Sequence, residues 1–171
     1  MERYDLYNRK GEPLGKKAAR NDKLSTGEYF LIVHVWIETA PGEYLIHQRN
    51  KPSDPTPYQW ATVSGMVAQN EPPARAAVRE TKEELGIGFI EADLSLLSRI
   101  ITENAYNTFA YIYRVRKHVD PSTLVLERDE VRAVDTASLE EILRMVREGD
   151  FWDYASLLEK DDYFSLLKGR E

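Results

Sequence analysis

Residues 29–38 constrain this chain more than any other stretch. Phe30, Leu31, Ile32, Val33, Val35, Trp36 and Ile37 run almost without a polar break. A strand with one wet face alternates, whereas a near-continuous apolar strand is buried on both faces. Such a strand belongs in the middle of a sheet, and the rest of the chain must cover it on each side. The following segments read as that cover. After a turn at 39–42, residues 43–49 return as the second strand of a hairpin. Three prolines make 50–57 a loop, and 58–64 reads as a short strand ending at Gly65. Pro72 and Pro73 suit a first helical turn, and the helix runs to Leu85 with Gly86 as its stop. Residues 94–102 and 108–115 read as two strands joined by a turn at 104–107, and 131–134 as a further short strand. Ser138 with Glu141 forms a capping-box pattern that opens a helix. Residues 151–167 read as a second C-terminal helix, its aromatic stripe docked on the sheet.

The N-terminal end reads as a short strand over 1–8, then a segment at 9–28 carrying Lys10, Lys16, Lys17, Arg20 and Lys23. That segment is either a solvated basic arm or a cationic flap beside an anionic ligand. The order of elements implies an α+β (α/β) architecture, a mixed sheet with helices on its faces. With 171 residues, 42% of them hydrophobic and 30% charged, the expectation is one packed domain over 1–171. Within it, 1–28 is the strand and arm, 29–135 the core, and 136–171 the C-terminal helices. The absence of cysteine excludes disulfides, zinc–thiolate sites, iron–sulfur ligation and a cysteine nucleophile. A net charge of −6 argues against a nucleic-acid polymer as partner. The first residues lack a basic start and an apolar core, and no stretch approaches the ~20 apolar residues of a membrane span. The expectation is therefore a cytoplasmic protein with no membrane partner.

The chemistry gathers on the helix after Gly65. At ~100° per residue, with Glu80 at zero, Glu83 falls near −60° and Glu84 near +40°. Val78, Thr81 and Leu85 fall between roughly +100° and +160°, the core-facing stripe. Like charges at such spacings repel by a few tenths of a kcal/mol per pair. Two readings of this acidic face are open from the helix alone. One is a solvated surface. The other is a hard divalent cation among carboxylate oxygens, as Mg²⁺ favours.

The wider spacing bears on that choice. Gly65, Glu71, Arg79-Glu80-Thr81, Glu83-Glu84 and Gly86-Ile87 fill every defined position of a Nudix box over 65–87. The chain resembles a Nudix hydrolase. Asp5-Leu6-Tyr7, Gly15, Arg20, Gly27-Glu28-Tyr29, Val33 to Ile37, Leu45 to Arg49 and Trp60 resemble the Nudix branch related to isopentenyl-diphosphate isomerase. The resemblance implies a Nudix fold, an α/β/α sandwich around a mixed sheet. It implies Mg²⁺ or Mn²⁺ as cofactor, with Glu80, Glu83 and Glu84 as metal ligands. Glu83, Glu80 and Arg79 would be the catalytic residues, Arg79 orienting a box glutamate by ion pairing. Gly65, Glu71 and Gly86 would shape the box.

The implied reaction is hydrolysis of a nucleoside diphosphate linked to another group, a small-molecule diphosphate substrate, by water attack at phosphorus. Glu83 is the first candidate for general base. Glu103, Glu127 and Glu130 are the candidates outside the box. Arg49, Lys51, His47 and Tyr58 are candidate substrate contacts, with salt bridges and core packing as the structural alternatives. His34 reads as a hydrogen-bonded core histidine, and Trp60 as core or a stacking surface. The isomerase chemistry is the alternative, but it needs a cysteine before the box glycine, and Ser64 stands there. A third reading is a nucleotide sensor without turnover. The segments 9–28, 50–58 and 103–107 are expected to shape specificity, and the aromatic C-terminal helix offers a homodimer surface.

Overall fold

A computed structural model describes residues 2–53, 57–103 and 107–168. Strands β1 (Arg3–Tyr7) and β2 (Pro13–Ala19) form a separate antiparallel hairpin. Strands β3 (Phe30–Ala40), β4 (Glu43–Arg49), β5 (Trp60–Ala61), β6 (Val63–Met66), β7 (Leu94–Thr102), β8 (Thr108–Arg116) and β9 (Val131–Ser138) form a seven-stranded sheet. Helices α1 (Pro73–Leu85), α2 (Leu139–Glu148) and the short α3 (Tyr154–Leu157) complete the main elements. Among the described residues, no helix is long and apolar enough to cross a membrane.

β3 is the centre, as its apolar run requires. It lies parallel to β8, from Phe30 opposite Thr108 to Glu38 opposite Arg116. It lies antiparallel to β6, with Val33 opposite Gly65. It meets β4 only near the turn, at Glu38–Tyr44 and Ala40–Glu43, after which β4 pairs with β9 and β5. The sheet is therefore mixed. Leu31, Val33, Val35 and Ile37 face Ala76, Ala77 and Leu85 of α1 on one side. Trp36, Ala110 and Ile112 face Ile142 of α2 and the aromatic residues Phe151, Tyr154 and Tyr163 on the other. Both faces of β3 are thus dry, in the expected helix–sheet–helix layering.

Several elements differ from expectation. The basic segment 9–28 is neither a loose arm nor a flap throughout, because β2 pairs with β1 through Tyr4 opposite Ala18. Its lysines point to water while Ala18 and Ala19 are buried, so little apolar alternation betrays the strand. The strand expected over 58–64 breaks at Thr62, whose hydroxyl donates to the Val35 carbonyl, and Gly65 lies inside β6. Residues 151–167 do not form one helix. Asp153 caps a single turn by accepting from the Ser156 amide, Glu159 adopts φ 52°, and a 3₁₀ turn follows at Tyr163–Leu167. Burial of Phe151, Leu158, Tyr163 and Phe164 onto the sheet outweighs helical continuity. Of the expected loop 50–57, residues 54–56 lie outside the described residues. So do 104–106 of the expected turn at 104–107.

Candidate active site

The sequence of α1 positions the site. Pro73 starts the helix, and Gly86 ends it at φ 70°, with its amide donating to the Lys82 carbonyl at 3.0 Å. β6 delivers Gly65 directly beneath the helix. A Cβ at Gly65 would overlap the Glu80 carboxyl, so the glycine is what allows the helix and its carboxylate to approach the strand.

Arg79 is the hub. Its Nε and Nη2 donate to the two Glu71 oxygens, both at 2.9 Å. Nη1 donates to Glu80 at 2.8 Å and to Glu83 at 3.0 Å, and Nη2 also reaches the Met66 carbonyl at 3.1 Å. The rigid fork of a guanidinium suits this pattern, and an ammonium could not reproduce it. Glu71 also accepts from the Ala68 amide at 2.9 Å, so the loop before α1 is closed on itself. The loop is further tied to the N-terminal hairpin, as the Asn70 amide donates to Asp5 at 2.8 Å. Asp5 carried no such role in the sequence reading, because a loop-to-hairpin contact has no periodic signal.

The carboxylates sit in unequal environments. Burial alone would push Glu71 up, yet the Arg79 hydrogen bonds and the Ala68 amide hold it below the usual range. Burial raises Glu80, against the pull of Arg79 and with help from Glu83 and Glu130. Burial raises Glu84 well above the usual range, and the charges of Glu80 and Glu130 add to it. Arg49 and Lys51 oppose that rise, so their cations reach Glu84. The side chain of Glu83 is 59% exposed and that of Glu84 only 10%. The helix therefore does not keep its acidic and apolar faces apart: Glu84 is buried beside Ala77 and Leu85.

Glu84 Oε2 is buried and has no hydrogen-bond partner. His47 Nε2 on β4 lies 3.7 Å from it. Burial, then Arg49, pushes the His47 imidazole down to about 3. At 3.7 Å the two groups are too far apart for a hydrogen bond. A buried orphan oxygen among carboxylates fits a cation, whose charge reverses the cost of ionisation there. Among the described residues, no three His, Asp or Glu side chains are gathered into a ready-made cage. Arg79 holds Glu80 and Glu83 on its own guanidinium. A Mg²⁺-type site does not require a cage, because such an ion keeps several waters and shares substrate phosphates.

The other candidates divide. Lys51 pairs with Glu130 at 3.1 Å, and Arg49 lies over the Trp152 ring at 4.4 Å. Tyr58, at φ 66°, is covered by the Arg132 guanidinium at 4.8 Å. Of the acids outside the box, Glu130 is the one whose charge reaches Glu80 and Glu84. Glu127 caps the end of α1 through its amide, which donates to the Glu84 carbonyl at 3.1 Å. Glu103 is tied to Arg9 at 2.6 Å and to the Tyr29 hydroxyl. Trp60 packs with the second core cluster. His34 is a core histidine, its Nδ1 2.9 Å from the Tyr163 hydroxyl.

The NUDIX domain family matches residues 28–159. An uncharacterized Nudix hydrolase of Listeria monocytogenes is 33% identical over 155 residues, which cover 90% of this chain and 90% of that protein. Nudix hydrolase 3 of Arabidopsis thaliana is 27% identical over 161 residues, covering 87% of this chain but 21% of that protein. A crystal structure of a Deinococcus radiodurans protein aligns with TM-score 0.72 at 21% identity, covering 93% of this chain and 98% of that one. The MutT protein of Methanosarcina mazei aligns with TM-score 0.63 at 22% identity, covering 82% and 93%. The last two likenesses are of fold.

Proposed function

The chain belongs to the Nudix family of hydrolases, and on that premise we propose that it is a metal-dependent pyrophosphohydrolase. Its substrate is a nucleoside diphosphate linked to another group, cleaved by attack of water at phosphorus. The fold is the Nudix fold, and hydrolases of this family act on small molecules, generally with a divalent metal. The observation that carries the finer reading is Glu84 Oε2, a buried carboxylate oxygen without a hydrogen-bond partner beside Glu80.

Glu80, Glu83 and Glu84 would hold Mg²⁺ or Mn²⁺. When bound, such an ion supplies Lewis acidity toward phosphate oxygens and makes a water easier to deprotonate. The chain's own residues do the rest. Arg79 fixes Glu80 and Glu83 while Glu71 fixes Arg79, so the carboxylates are positioned before substrate arrives. Glu83, the exposed member, takes the proton of the attacking water. Arg49 and Lys51, whose charges reach Glu84, receive substrate phosphate charge. Glu130 is the alternative base that its electrostatic reach favours over Glu103 and Glu127. The whole chain acts as one unit, with the hairpin and the C-terminal segment as parts of it.

The test is product analysis on a panel of nucleoside diphosphate derivatives with Mg²⁺ and then Mn²⁺, beside Glu83→Gln and Glu84→Gln. Metal-dependent cleavage at the diphosphate, lost in folded variants, is the expected result. Nucleotide binding without any turnover would replace this reading with the sensor. Isomerisation of a prenyl diphosphate without hydrolysis would replace it with isomerase chemistry.

A further inference from the structure

The hairpin of β1 and β2 precedes residues 28–159, the part of the chain that matches the family, yet one of its side chains reaches the box loop. Asp5 lies in β1 between the buried Tyr4 and Leu6. Its Oδ2 accepts from the amide of the exposed Asn70 at 2.8 Å. Asn70 stands at φ 57°, in the left-handed region that is uncommon outside glycine. A residue persists there when its surroundings hold it. The next residue is Glu71, whose two oxygens take Nε and Nη2 of Arg79. Rotation of Asn70 out of this conformation would redirect the chain at Glu71. The partner that fixes Arg79 against Glu80 and Glu83 would move with it. Docking of the hairpin does not need the Asp5 bond. Tyr7 and Tyr29 exchange two backbone hydrogen bonds, at 3.0 and 2.9 Å, and Tyr4, Leu6 and Ala18 cluster with Phe30 and Met66. Simple anchoring of the hairpin would therefore only repeat contacts already made.

We infer that Asp5 is a positioning residue for the hydrolysis: through the Asn70 amide it holds Glu71, and so the Arg79 fork, in the geometry that orients Glu80 and Glu83. The hairpin is then a working part of the site rather than an appendage to it. The inference rests on the hydrolase reading, because its effect is felt at the same carboxylates. Asp5 acts on turnover more than on substrate binding, since the residues it reaches orient carboxylates and do not themselves receive the substrate. The bond asks for an acceptor oxygen, not for a charge, so an asparagine at position 5 can replace the aspartate.

Steady-state kinetics on the diphosphate that the full chain cleaves, with amide hydrogen exchange read by NMR, tests it in Asp5→Ala and Asp5→Asn. Asp5→Ala is expected to lower kcat by about tenfold while KM changes by less than about threefold, and Asp5→Asn to keep kcat within about threefold of wild type. In Asp5→Ala the amides of Asn70 and Ala68 are expected to exchange about tenfold faster or more, while those of Tyr7 and Tyr29 keep their protection. Wild-type kcat in Asp5→Ala, or an equal loss in Asp5→Asn, overturns the role of Asp5 and leaves the hydrolase reading standing. Loss of protection at Tyr7 and Tyr29 as well makes Asp5 an anchor of the hairpin and overturns it too. If Asp5→Ala does not fold, the wild-type chain decides, because an Asn70 amide that exchanges as freely as an unbonded one overturns the inference. Absence of turnover by the wild-type chain on every diphosphate of the panel overturns both readings.

Discussion

At Gly65 the space of a side chain is filled by the carboxyl of Glu80. Gly65→Ala must push that carboxylate off the strand and off Arg79. The expected cost is about 1–3 kcal/mol in urea denaturation, with kcat/KM falling by about tenfold or more as positioning is lost. Wild-type turnover in the alanine variant would show that Glu80 need not be held there. Glu84 makes the opposite trade. Its buried charge has no hydrogen-bond partner on Oε2, so Glu84→Gln is expected to stabilise the metal-free protein by about 1 kcal/mol while abolishing turnover. Denaturation in the presence of a chelator checks the first half, and the diphosphate assay the second. The residue identities of this cluster were legible, because the box spacing puts Glu80, Glu83 and Glu84 on one side of a helix. The burial of Glu84 was not. At about +40° it borders the sector of Ala77 and Thr81, and a helical wheel does not say how far the helix rolls into the sheet.

The elements that carry their own signals were the readable ones. Residues 43–49 and 94–102 match β4 and β7, and α1 and the start of α2 fall where proline, glycine and the capping box put them. Ser138 accepts from the Glu141 amide at 3.2 Å, and Glu141 accepts from the Ser138 amide at 2.8 Å. Ser138→Ala is accordingly expected to cost about 1 kcal/mol, with activity unchanged since α2 lies on the face away from α1. A larger activity loss than stability loss would show that α2 reaches the site. β2 escaped notice because Lys16 and Lys17 face water and only Ala18 and Ala19 are buried. Residues 151–167 are rich in aromatics without the period of a helix, so their composition alone suggests an element they do not form. The buried positions Tyr154, Leu158 and Tyr163 are spaced by four and then five residues, which no straight helix keeps on one face.

Across the whole molecule, the C-terminal segment and the central strand are joined by one phenol. Tyr163 accepts from Trp36 Nε1 at 2.9 Å and meets His34 Nδ1 at 2.9 Å. The apolar run announced a central strand, but only the closed fold shows which residue satisfies the two polar atoms on its far face. Tyr163→Phe leaves both without that partner and is expected to cost about 2 kcal/mol, read by denaturation. The same junction sets an acid limit. Burial pushes His34 from its ordinary 6.5 down to about 3. Between those values the unfolded chain binds a proton that the folded chain refuses. Stability is therefore full above pH 6.5 and is lost as pH falls toward 3. Each such histidine adds a slope of at most about 1.4 kcal/mol per pH unit in that window. His47, also held near 3, contributes a second. His34→Asn, which can keep a nitrogen toward Tyr163, is expected to lower the slope by one proton's worth and leave the His47 share. The carboxylates titrate alike in both proteins, so the difference isolates His34. Equal slopes would mean that His34 takes up its proton inside the fold, and that the junction with Tyr163 opens in acid before the molecule unfolds.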